Sequence, residues 1–250
     1  MSRALPLWPR EHGATVQVLL AVAAALALRL PTRAGLAQAT LTLVVFLASV
    51  PLGALARDPQ SRSAWGRLVL LGGLGLLVAG LGWSGSAPAT FLHLLPPLLP
   101  AGALGLLLRK GREHTPTGEQ LASLAFALAA HPIATFSGAP GAQAGSLAGL
   151  LAAAFLLSAL SVRTLQRRPV PGLGRPWTLL PPLLGLGLCA VLEDLYQSHM
   201  VGARLTWVLL PSVAATLSFA FHRPARFKVV GWILAAGTFG TATLSVLLLR

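Results

Sequence analysis

Long apolar runs separated by short arginine-bearing loops constrain this chain more than any motif it carries. From the N-terminus they fall at about 14–30, 34–56, 67–83, 88–108, 120–137, 144–165, 177–195, 203–221 and 229–249. A helix rises 1.5 Å per residue, so about 20 apolar residues cross the ~30 Å hydrocarbon core of a bilayer. No link between runs exceeds about a dozen residues, far short of the ~50 that a soluble domain needs. The pattern predicts an all-α, polytopic transmembrane helical bundle of about nine spans, with residues 1–250 forming a single integral membrane domain. Composition agrees: 10% of the residues are charged, against about 25% in soluble domains.

The net charge of +13 does not point to nucleic acid, because the basic residues form no patch or arm. Arg3, Arg10, Arg57 to Arg67, Arg109 to Arg112, Arg163 to Arg175 and Arg223 to Lys228 all fall on one side of the alternating spans. The other side receives only Arg29, Arg33, Arg204 and Arg250 of the 19 Lys and Arg residues. By the positive-inside rule the N-terminus is cytoplasmic, and the expected location is the inner (cytoplasmic) membrane, multi-pass. Glu11 directly before the first run is unusual for a secretory signal, so that run reads as an uncleaved first helix. The single Cys189 lies inside a run and offers neither a disulfide nor a metal motif.

Prolines inside the runs, among them Pro51, Pro100, Pro132, Pro181, Pro182 and Pro211, remove a backbone donor each. In a bilayer, neighbouring helices satisfy the freed carbonyls, so kinked spans are expected. Gly75 and Ala79 in the third run have the small-xxx-small spacing of close helix packing.

Candidate chemistry gathers on the basic side. The tripeptide Arg-Glu-His occurs as Arg10, Glu11, His12 in "PREHGAT" and as Arg112, Glu113, His114 in "GREHTPTGE", each beside an apolar run. An Arg clamps phosphate or carboxylate, a carboxylate accepts a proton or holds a cation, and His shuttles protons near neutrality. Glu11, His12 and Glu113 are therefore the candidate catalytic groups. Arg10, Arg57, Asp58, Arg112, His114, Glu119 and His131 are the candidate substrate-binding groups. The plain alternative is that the acids only complement helix dipoles and the arginines only set topology. His131, inside a span and followed by Pro132, either bonds a freed carbonyl or relays protons. His93, Glu193 and Asp194 rank lower. The cofactor is unknown, and Mg²⁺ is compatible with the carboxylates; no nucleotide-, zinc- or serine-hydrolase motif occurs.

"WPREHGAT" resembles the N-terminal marker of the YwiC-like family of bacterial integral membrane proteins, Pro-(Arg/Lys)-(Glu/Gln)-His-Gly-Ala, matched at residues 9 to 14. Supporting likeness runs through "FLASVP" (46–51), "REHTPTGEQLASLAFALAAHP" (112–132), "LSVRTLQRR" (160–168) and "RPARFKVVGW" (223–232). The chain departs from the family at Thr15, where relatives carry Trp, and at Ser49 and Val50, where they carry His-Glu. The second change removes an acid from any metal site built from both halves. The resemblance implies membership of an uncharacterised family and no particular reaction.

Nine helices with the N-terminus inside are also similar to the UbiA superfamily of intramembrane prenyltransferases. Those enzymes hold a prenyl diphosphate through Mg²⁺ and two Asp-rich motifs. Here the first position has only Asp58 and the second, "RRPVPGLGRP", has no carboxylate. The expected function is a cytoplasm-facing site for an anionic lipid or isoprenoid, with membrane lipids and a phosphate-bearing small molecule as partners. The alternatives are a small-anion transporter and a non-enzymatic membrane assembly factor.

Overall fold

The computed structural model describes residues 12–85, 87–166, 176–198, 204–221 and 227–250. Among them there is no strand. The helices are α1 (His12–Leu28), α2 (Arg33–Arg57), α3 (Arg62–Gly82), a 3₁₀ helix (Pro88–Leu94), α4 (Leu95–Arg109), α5 (Pro116–Leu128), α6 (Ala130–Phe136), α7 (Gly141–Gln166), α8 (Pro176–Gln197), α9 (Thr206–Phe221) and α10 (Phe227–Leu249).

Among the described residues six segments are long and apolar enough to cross a membrane: Arg33–Arg57, Arg62–Gly82, Thr90–Arg109, Gly141–Gln166, Thr178–Gln197 and Lys228–Leu249. Gly13–Leu28 and Thr206–Phe219 are shorter apolar helices. The fifth run departs from the expected continuous span, because it is divided into α5 and α6 at Ala129. Pro132 lacks the N–H that would bond Leu128, and its ring crowds that carbonyl, so the break falls where the ladder is weakest. The third span also starts earlier than expected, at Arg62 rather than residue 67. Basic residues end and begin the helices of a membrane bundle as readily as apolar ones, since their long stems reach the interface.

Contacts between distant residues place the helix ends. Ser123 of α5 bonds Gln17 near the start of α1, and Arg163 near the end of α7 bonds Glu119 at the start of α5. At the other end Arg29 donates to Gln143, Thr32 Oγ1 donates to the Phe136 carbonyl, and Arg250 donates to the Ala27 carbonyl. α1, α2, α5 with α6, α7 and α10 therefore run in the directions the charge pattern requires.

The centre of the bundle is α7, which packs against α1, α5, α6, α8, α9 and α10. Its Leu147, Leu151 and Phe155 are fully buried. By contrast α3 packs mainly on α2, and α4 on α5. The rest of their surface is exposed leucine, with Leu76 78% and Leu99 73% accessible. Such a continuous apolar exterior is stable against lipid and not against water. On α3 the close approach differs from the expected Gly75–Ala79 pair. Gly75 only touches Leu41 and Val44, whereas Gly82 sits directly on Ala37 of α2.

Candidate functional site

The second Arg-Glu-His tripeptide forms the link between α4 and α5, and backbone geometry accounts for much of its sequence. Gly111 takes φ +62° after α4, a left-handed conformation that costs an L side chain and that glycine adopts freely. The Arg112 N–H then reaches the Leu107 carbonyl at 2.9 Å and the Gly111 N–H reaches Leu108 at 3.0 Å, the paired bonds of a Schellman cap. Thr115 opens α5, its Oγ1 accepting from the Gly118 N–H at 3.3 Å, with Pro116 at the first helical position. The third residues differ: His12 lies within α1, whereas His114 lies in the turn ahead of α5. Their likeness is thus not a repeat of one local structure. Arg10 and Glu11 lie outside the described residues, as does the side chain of His12.

Glu119, in the first turn of α5, is committed to Arg163 of α7. The guanidinium places Nε 2.7 Å from Oε2 and Nη2 2.5 Å from Oε1, and Nη2 also donates to the His114 carbonyl at 3.1 Å. A two-pronged contact of this kind fixes direction as well as charge, so Arg163 clamps α5, α7 and the intervening turn together. The expectation that Arg163 merely marks topology missed this. No spacing in the sequence connects positions 119 and 163, and only the packing of α5 on α7 does.

Glu113 is held beside this clamp. Its carbonyl is packed against Gly118 so closely that any side chain at 118 would collide with it. Its Oε1 lies 3.8 Å from His114 Nε2, while its Oε2 is sealed from solvent without a hydrogen-bond partner. Leaving a buried acceptor unsatisfied costs about 1–3 kcal/mol, and more for an ionised one. The carboxylate is consequently suited to accept a donor or a cation that the described residues do not supply.

The mouth of α1 lies alongside. Gln17 Oε1 accepts from Ser123 Oγ at 3.2 Å. Gly13 and Glu119 are each one turn before those residues on their own helices, so the start of α1 is at the level of Glu119. The structure therefore brings Glu113, His114 and Glu119 together and sets the entrance of α1 next to them. Arg57 and Asp58 are engaged at their own helix end: Arg57 Nε donates to the Gly53 carbonyl at 3.1 Å, and Asp58 Oδ1 accepts from the Gln60 N–H at 3.2 Å. Arg112 is exposed at the rim of the turn. Among the described residues no group of three or more His, Cys, Asp or Glu side chains is arranged to hold a metal ion. With Glu119 taken by Arg163, the described donors fit Mg²⁺ poorly.

His131 is elsewhere, in α6 near the opposite end of the bundle. Its Nε2 lies 2.9 Å from His93 Nδ1 in the 3₁₀ helix, with the rings inclined by 62°. The neighbour presented to Nε2 is an imidazole rather than a carbonyl freed by Pro132. His93, ranked low from sequence, is the partner. The two lie 38 residues apart in different spans, and no local pattern joins them.

At the exposed ends of α8 and α9, Glu193 accepts from Arg204 Nε at 3.0 Å and Nη2 at 2.6 Å, and from Thr206 Oγ1 at 2.9 Å. The carboxylate raises the already high pKa of the Arg204 guanidinium. Tyr196 and Trp207 also border this cation, 5.8 and 5.6 Å away, a mutually satisfied set that reads as a loop fastening.

An all-helical bundle with lipid-compatible walls and charged, loop-built ends defines a multi-pass integral membrane protein. The YwiC-like protein family matches residues 8–135, which span α1 to nearly the end of α6 and include both tripeptides and both paired histidines. The chain belongs to the YwiC-like family. No curated protein and no solved structure matches it, and the resemblance to UbiA prenyltransferases is not shown.

Proposed function

We propose that the protein, in the cytoplasmic membrane, binds the anionic head of an amphipathic lipid or isoprenoid at the cytoplasmic mouth formed by α1 and α5. The observation that supports this best is the Glu113 carboxylate, whose Oε2 is buried without a partner beside the Arg163–Glu119 clamp. A phosphate head brought in with its proton or counter-cation supplies what that oxygen lacks. Arg112 at the rim, with Arg10 ahead of α1, provides the positive charge that such a head requires. In an enzyme acting on this substrate Glu113 serves as base, with His12 and His114 as proton carriers.

The test compares farnesyl diphosphate, inorganic diphosphate and farnesol as stabilisers of the protein in zwitterionic nanodiscs. Thermal stabilisation by farnesyl diphosphate well above that by either fragment, reduced in Glu113→Gln and Arg112→Gln, is the expected result. Equal stabilisation by farnesol, or an undiminished effect in both variants, overturns the reading. Stabilisation by inorganic diphosphate alone points instead to a small-anion site.

A further inference from the structure

His93 Nδ1 and His131 Nε2 lie 2.9 Å apart, so one N–H fills the contact and the other ring offers its lone pair. Whichever ring donates, two neutral imidazoles joined in this way keep one basic nitrogen open, on the far side of the donor.

We infer that His93 and His131 form a site in the outer half of the bundle that binds one proton between them. The incoming proton turns one ring into an imidazolium whose N–H strengthens its bond to the other, a charge-assisted contact. The second ring stays neutral, because a second charge on the adjoining imidazole is opposed by the first.

The surroundings suit a single, reversible charge. His93 is half-buried in the 3₁₀ helix, which packs on α6 and α4, and α6 packs on α1, α2, α5 and α7. α7 faces the pair with Gly141 and Gly145, the former leaving 3.8 Å between an added Cβ and His93 Cε1. Among the described residues of these elements the one carboxylate is Glu119, at the far end of α5 and bound to Arg163. The charged groups at the near end are Arg29, bonded to Gln143, and Arg33. No acid locks the proton in place, so it is exchangeable. The site also borders a ring cluster: Phe91, two residues before His93, meets Trp83 at 5.1 Å and Phe136 at 5.8 Å. Proton loading thus acts next to the contact that joins α3 to α6. This site is distinct from the cytoplasmic mouth and does not rest on the lipid reading.

The test is a pH titration of the ¹⁵N-histidine protein in nanodiscs, with the ring signals assigned by His93→Gln and His131→Gln. One proton should enter the pair, with the second ring neutral through the same pH range. His131→Gln keeps an acceptor for His93 Nδ1 and should preserve proton uptake there, whereas His131→Leu removes it and should weaken that uptake roughly tenfold, the effect of losing a charge-assisted bond. Independent titration of both rings, or no titration of either, overturns the proposal. The ¹⁵N shifts are read on the folded wild type, so a variant that fails to fold leaves the test decisive.

Discussion

Ser123 Oγ donates to Gln17 Oε1 at 3.2 Å, and this polar contact sets the mouth of the first helix against that of the fifth. In hydrocarbon neither side chain has water to fall back on, so the pair is worth keeping intact. A Gln17→Cys/Ser123→Cys protein, made in a Cys189→Ala background, should crosslink rapidly on mild oxidation. A Gln17→Cys/Gln143→Cys control, with the two sites at opposite ends of the bundle, should remain reduced. Equal crosslinking of both pairs, or of neither, contradicts the helix arrangement.

The Glu119–Arg163 clamp predicts a stability effect with a specific rescue. Arg163 is 25% and Glu119 42% exposed, so solvent screening reduces the gain from pairing. Arg163→Met should destabilise the protein by about 1–2 kcal/mol. Arg163→Lys should recover only part of the loss, since an ammonium cannot span both carboxylate oxygens and the His114 carbonyl together. Thermal unfolding in detergent, followed by fluorescence, measures both.

Gly82 makes a sharper packing prediction than Gly75, although both lie on the α2-facing stripe of α3. A methyl at Gly82 collides with the Ala37 Cβ, whereas one at Gly75 finds Leu41 Cδ2 at 3.5 Å, an ordinary contact. Gly82→Ala should cost about 1–3 kcal/mol by overpacking. Gly75→Ala should change thermal stability by less than about 1 kcal/mol, helped by the better helix propensity of alanine. The reverse order would show that α3 does not pack on α2 in this register.

Topology is tested by labelling. With Cys189 replaced by Ala, Arg62→Cys at the start of α3 should react with a membrane-impermeant maleimide only in permeabilised cells. Ala142→Cys at the start of α7 should react in intact cells. Equal labelling of the two in intact cells refutes the assigned orientation.

The helices, their approximate limits and their alternating direction were legible in the sequence, because each rests on a local quantity. Apolar run length sets the span, loop charge sets direction, and signals such as Gly111 and Thr115–Pro116 set helix ends within a few residues. The tripeptide at 112–114 was correctly marked as placed near the start of a helix, but its likeness to residues 10–12 could not reveal that His12 is helical whereas His114 lies in a turn. The turn at 112–114 depends on where α4 stops. What tertiary structure alone decided is which polar groups meet: Glu119 with Arg163, Gln17 with Ser123, His131 with His93. Each pair is separated by 38 or more residues and lies on different helices. The hydrophobic pattern fixes which segments enter the bilayer but leaves their burial, neighbours and rotations open. Side-chain fit at sites such as Gly82 on Ala37 chooses among those arrangements, and the polar contacts follow from that choice.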